Sequence, residues 1–218
     1  MTPPLAHSIA PDTVISFEIN PGTLLQYLET RPEGGPRLKC FEGSVTLVSS
    51  GRTHATRGGR LDSLIMAVCL EFRTKLTGLR STTWTLPHGA GDTAYEADHA
   101  YLVQSYGTEN ERQPPDLAIE VVVTHPERKA LLAGALLRIP EMWVLDIPRH
   151  RLTFYHLAAQ GKAKGTYQPK PLSRAFPLLR SAEVLGRLDD PEPDDTAFHE
   201  NCRAWARDVL APRARGGE

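Results

Sequence analysis

Residues 116–124 read DLAIEVVVT, the strongest pattern in the chain. Side chains alternate across a strand, so residues two apart share a face. Asp116, Ala118, Glu120 and Val122 point one way; Leu117, Ile119, Val121 and Val123 point the other. The second set is wholly apolar and suits a core. The first puts Glu120 on an otherwise apolar strand, where an unpartnered carboxylate is costly, so it needs a cation, a donor network or a metal. Just upstream, residues 98–103 read DHAYLV, a second strand on which Glu96, Asp98 and Ala100 share a face. The link QSYGTENERQPP is polar and turn-rich, so the two strands pair as an antiparallel hairpin. In the right register, Asp98 and Glu120 meet on one face. Spacing alone leaves bland readings open: Asp116 as a turn cap, and Glu120 paired with an arginine inside the sheet.

Outward from this hairpin, residues 14–19 suit an edge strand, and Asn20 before Pro21 suits a helix start. Residues 37–41 and 44–49 read as strands about the turn Glu42-Gly43. The stretch SSGRTHATRGG reads as a loop carrying His54. Leu61, Leu64, Ile65, Val68 and Phe72 then predict a helix ending near Gly78. Residues 82–86 suit a strand. His125 and Pro126 open a helix through Leu137, which carries Lys129. Residues 141–147 and 151–157 suit a hairpin with Trp143 beside Tyr155. Residues 182–188 and 196–210 suit helices about the acidic loop DDPEPDD. The organisation expected is a loose segment over residues 1–12, one domain over 13–210 and a frayed tail over 211–218.

Composition sets the class. Of 218 residues, 40% are hydrophobic and 23% charged, as in ordinary globular proteins. The net charge of -1 means that any nucleic-acid chemistry needs a local basic patch and a metal ion against phosphate. Cys40, Cys69 and Cys202 are widely spaced and odd in number, which suits reduced thiols rather than a zinc cage. No basic start with an apolar run and no stretch of transmembrane length is visible, so a cytoplasmic protein without membrane contact is expected.

Several segments, in order, resemble the Uma family of restriction endonucleases, a branch of the PD-(D/E)XK superfamily. YEADHAYLV is similar to the family's acid-pair segment, with Glu96 and Asp98 at the acids; PPDLAIEVVVT matches its P-D-L-x-x-E-V segment at Asp116 and Glu120. IPEMWVLD resembles its V-P-E-x-W stretch, GSVTLVSSGRTH its strand and histidine segment at His54, and LRSTTW also fits. The resemblance implies an α/β, restriction-endonuclease-like mixed sheet with flanking helices. It implies hydrolysis of phosphodiester bonds, of DNA in the first instance, assisted by Mg²⁺ or Mn²⁺ held by Asp98 and Glu120. Lys129 is the expected catalytic lysine, and Glu96, Asp116 and His54 the expected supporting residues; a homodimer is one expected assembly.

The chain departs from the family at four places. Ala97 stands where proline is usual; Val122 takes the K position of the superfamily's E-x-K pair, but the family carries that lysine on the next helix, where Ala130 stands one residue after Lys129. Thr46 replaces a glutamate, and Gly134 a tyrosine. The alternative expectation is therefore a catalytically impaired nuclease fold that binds nucleic acid or a protein. A small-molecule or RNA-processing hydrolase is a third.

Overall fold

A computed structural model describes residues 10–20, 23–30, 36–41, 43–79, 82–86, 93–104, 113–123, 128–158 and 165–216. The expected features at Pro21, Glu42, Thr124, His125 and Pro126, and most of the link between the central strands, lie outside the described residues.

The described strands form two sheets. The first joins β1 (Val14–Glu18), β2 (Arg37–Phe41), β3 (Ser44–Val48), β5 (Trp84–Thr85) and β6 (Ala94–Tyr95) in the order β1-β3-β2-β6-β5, with α1 (Thr23–Thr30) between β1 and β2 in the chain. The second joins β4 (Leu76–Gly78), β7 (His99–Val103), β8 (Leu117–Val122), β9 (Glu141–Asp146), β10 (Arg151–Ala158) and β11 (Thr166–Lys170) in the order β11-β10-β9-β8-β7-β4. All pairings are antiparallel except β8 with β9, which is parallel, so the second sheet is mixed. A parallel pair needs a crossover, and α3 (Arg128–Leu136) lies on it. Between β6 and β7 the chain crosses from one sheet to the other through Glu96, Ala97 and Asp98. Asp98 therefore sits at the seam.

The alternation on β8 is obeyed. Leu117, Ile119 and Val121 enter the main core with Leu61, Leu64, Ile65 and Val68 of α2 (Arg52–Phe72). Ala118 faces a second cluster with Ala130 and Ala133 of α3. The sheet is thus covered on both faces, which is why β8 carries so little polarity.

Several expectations change. The stretch read as a loop around His54 is helix from Arg52 on. Within it Gly58 packs close to His99: a Cβ there would stand 2.4 Å from Nε2, and the ring would have to shift. The helix stops at Phe72 rather than near Gly78, because Arg73 adopts a left-handed cap (φ 52°) whose N–H bonds Cys69 O. Residues 76–78 then pair with β7 as an edge strand. The strand expected over residues 82–86 is confined to Trp84–Thr85. Trp143 stacks on Phe154, its register partner, at 4.3 Å between centroids, while Tyr155 meets Tyr167 edge-on. β11 went unread because Pro169 argues against a strand; an edge strand tolerates it.

The C-terminal expectation of a tail beginning at residue 211 is also corrected. After α4 (Ser181–Leu188), α5 (Asp195–Trp205) widens into a π segment, Ala206–Leu210, and continues as α6 (Ala211–Gly216). The wide turn lies just before Pro212, whose ring clashes with the carbonyl four residues back in an α-helix. Arg213 anchors α6 by pairing with Glu183 at 2.9 Å and by donating to Leu178 O.

Cys69 and Cys202 are both buried in the main core, and burial pushes their thiols up to about 11 and about 12. Thiolate is the reactive form, so iodoacetamide at pH 8 should leave both unmodified on a timescale that fully labels the urea-unfolded chain. An acid whose pKa is raised by folding stabilises the fold below its unfolded value and loses that contribution as pH climbs towards the folded one. Their contribution should therefore decline above about pH 8.5, the free-thiol value. Equal labelling rates in the folded and unfolded chains would refute this placement.

Candidate active site

Extending the β7–β8 register by one residue beyond His99 and Ile119 sets Asp98 opposite Glu120. Both are buried, Asp98 4% and Glu120 0% exposed. Every other described group at the site can be read from how these two carboxylates are held.

Asp98 Oδ2 accepts from the Val121 backbone N–H at 2.8 Å and lies 3.0 Å from His54 Nε2. His54 sits in the first turn of α2, buried against the seam. Asp98 Oδ1 is buried and has no hydrogen-bond partner among the described residues. Burial pushes Asp98 up, but the His54 hydrogen bond and the Lys39 charge overcome it and hold the carboxyl well below the usual range. Burial works against a charged His54; the hydrogen bond and charge of Asp98 outweigh it and raise the imidazole above its ordinary value.

Glu120 is held differently. Its Oε2 takes a buried ion pair from Lys39, and its Oε1 accepts from Tyr95 Oη at 2.6 Å. Lys39 lies on β2, in register with Tyr95 on β6 and Thr46 on β3. Strand alternation turns Lys39 to the face opposite Leu38 and Cys40, where it meets Glu120, and only 3% of it is exposed. Burial disfavours its charge, yet Glu120 and Asp98 together raise its pKa above the ordinary value, so it is an ammonium at neutral pH. Burial pushes Glu120 up, Lys39 pulls it back, Asp98 adds to burial, and the net direction is up. Burial and Glu120 likewise push the Tyr95 phenol well above its ordinary range, so it donates rather than ionises.

The remaining sequence candidates are braces. Lys129 is turned onto β3, where Nζ donates to Ser44 Oγ at 3.0 Å and Thr46 Oγ1 at 2.9 Å. Lys39, not Lys129, is the lysine on Glu120. Glu96 accepts from Leu38 N at 3.1 Å and from Thr83 Oγ1, extending the contact of β2 with the segment after β6. Asp116 accepts from Val103 N at 2.8 Å and closes the far end of the β7–β8 hairpin. The structure thus gathers His54, Asp98 and Glu120, and places Lys129 and Asp116 elsewhere.

A cavity of about 510 Å³ opens beside Asp98, lined among others by Arg37, Asp62, Ser63, His99 and Tyr101. Arg37 Nη2 lies 3.5 Å from the Asp98 carbonyl. Among the described residues, no helix is long and apolar enough to cross a membrane.

Residues 24–190 match the Uma2 family, described as "Putative restriction endonuclease". The chain belongs to this family. The Uma2 match spans the seam and both acids. A crystal structure of a "putative nuclease belonging to DUF820" from Anabaena variabilis covers 76% of this chain and 98% of its own, with a TM-score of 0.51. At 17% identity it shares the fold. No curated protein matches the chain significantly. Two site residues, Lys39 and Tyr95, went unread in this Uma2 chain: Lys39 lies outside every segment that carries the resemblance, and Tyr95 opens YEADHAYLV, a segment read for its acids alone. The one available signal was Lys39 itself: a lysine at the centre of RLKCF, between residues that a buried strand would hide.

Proposed function

We propose that this protein hydrolyses phosphodiester bonds of nucleic acid, DNA in the first instance, with Asp98 and Glu120 holding Mg²⁺ or Mn²⁺. The observation that carries the reading is the bare oxygen of Asp98. Oδ1 is anionic, buried and without a donor, directly across the strand pair from a second carboxylate. A buried carboxylate oxygen with no donor, even where its twin is paired with His54, leaves a place for a cation. Among the described residues no group of three or more His, Cys, Asp or Glu side chains gathers to hold a metal. Two carboxylates with waters and substrate completing the shell suit Mg²⁺, which dehydrates reluctantly.

When bound, such a dication supplies Lewis acidity to the phosphoryl oxygens and lowers the pKa of an attacking water. The chain's own residues prepare the place. His54 and the Val121 amide fix Oδ2 of Asp98, which leaves Oδ1 turned free. Tyr95 fixes Glu120. The Lys39 ammonium offers positive charge where negative charge grows during phosphoryl displacement. The cavity lined by Asp98, with Arg37 on its wall, is where a phosphate ester would approach the seam.

One observation favours the impaired-fold reading: both Glu120 oxygens are already engaged, one of them by a full positive charge. Cleavage decides between them. Supercoiled plasmid and single-stranded DNA should be nicked in Mg²⁺ or Mn²⁺ and spared in chelator. Asp98→Ala should reduce the rate to background. Cleavage that survives Asp98→Ala would end the proposal. Metal-dependent binding of DNA without cleavage would favour the impaired fold.

A further inference from the structure

We infer that Lys39 is an internal competitor for the divalent cation, so that metal binds Glu120 only when the ammonium leaves it. The inference rests on the metal-holding part of the proposed function. It comes from the count of oxygens at the seam. Of the four carboxylate oxygens, three have partners: Asp98 Oδ2 with His54 and Val121, Glu120 Oε1 with Tyr95, and Glu120 Oε2 with Lys39. A cation shared by both acids needs Oδ1, which is bare, and a Glu120 oxygen, which is not. Tyr95 can keep its hydrogen bond to a carboxylate that also binds metal from its other oxygen. Lys39 cannot remain as it is, because an ammonium in contact with that oxygen would lie against the dication, and like charges at such range repel strongly where water is scarce.

The lysine is built in rather than adventitious. Lys39 is anchored in the middle of β2 by pairing on both sides, to Thr46 and to Tyr95. Its stem is buried, and its ammonium pairs with Glu120. Glu120 in turn is 81 residues away on another sheet. The pair joins the two sheets across the seam, which makes metal entry a local rearrangement of that joint. A chain built this way folds with the cation it carries and exchanges it for a divalent one on demand.

Mn²⁺ binding, followed by electron paramagnetic resonance of the free ion without any nucleic acid, tests the inference. Lys39→Met should bind Mn²⁺ at least ten times more tightly than the parent. Mn²⁺ should also raise its melting temperature by more than it raises the parent's. Adding Glu120→Gln to Lys39→Met should remove the gain, since the competing site is gone. If Lys39→Met fails to fold, Lys39→Gln, which drops the charge and keeps a donor, is measured in the same way. Equal Mn²⁺ affinity in parent and lysine variant would overturn the inference, as would a gain that persists with Glu120→Gln. The hydrolase reading fails separately: a parent that cuts no DNA, beside a lysine variant that binds Mn²⁺ more tightly, removes the activity and leaves the competition standing.

Discussion

Lys39→Met and Glu120→Leu, measured singly without metal at neutral pH, should each destabilise the fold by about 3–5 kcal/mol, the range for stripping one partner from a buried ion pair. Each leaves a charge with too few partners in a place where neither residue exceeds 3% exposure. The double variant should lose much less than the sum, because two apolar side chains of similar volume can fill the seam without a stranded charge. The coupling expected between contacting charged residues is about 2 kcal/mol or more. Urea unfolding of the four proteins gives the cycle. Additive losses would mean that Lys39 and Glu120 are stabilised independently, and that the ion pair is not what joins the sheets.

Glu141→Ala is expected to be comparably severe, by about 3–5 kcal/mol, although it is far from the acids. Glu141 begins β9 with no exposed surface. Its Oε1 accepts from Trp143 Nε1 at 2.8 Å; its Oε2 accepts from the backbone of Arg174 at 2.9 Å and Ala175 at 2.6 Å, and from Ser173 Oγ at 3.3 Å. Removing it strands several donors at once, each worth about 1–3 kcal/mol when left buried and unpaired. Glu141→Gln should recover part of the loss, since an amide keeps one acceptor and places a donor where the other was. Calorimetric melting measures the total. Amide exchange at Arg174 and Ala175 locates it. Unchanged protection of those two amides in Glu141→Ala would show that the turn is held by something else.

The two predictions mark the limits of reading this chain. The hairpin that carries Asp98 and Glu120 was legible because it is local: alternation fixes faces, and a turn-rich link fixes direction. The two-sided burial of β8 was legible in its apolar run for the same reason. The partner of Glu120 was not. Lys39 reaches it through pairings of β2 with β6 that no local periodicity records, so a cation was expected without the strand that supplies it. The helix around His54 was hidden by Gly58, whose bare Cα answers to His99 from another element rather than to helix propensity. β11 was hidden by a proline that only an edge position excuses. The misses at Lys39 and Gly58 each trace to a contact between residues distant in sequence.

That distance also has a meaning in time. A ribosome adding roughly 5–20 residues per second makes Lys39 some 4–16 s before it makes Glu120, 81 residues later. Through that interval β2 can pair with β3, its immediate neighbour, while its lysine still needs water. The nascent first sheet must keep that face wet until the second sheet arrives to close it. Synthesis speed between residues 39 and 120 thus governs how long an unfinished seam stands open to other chains.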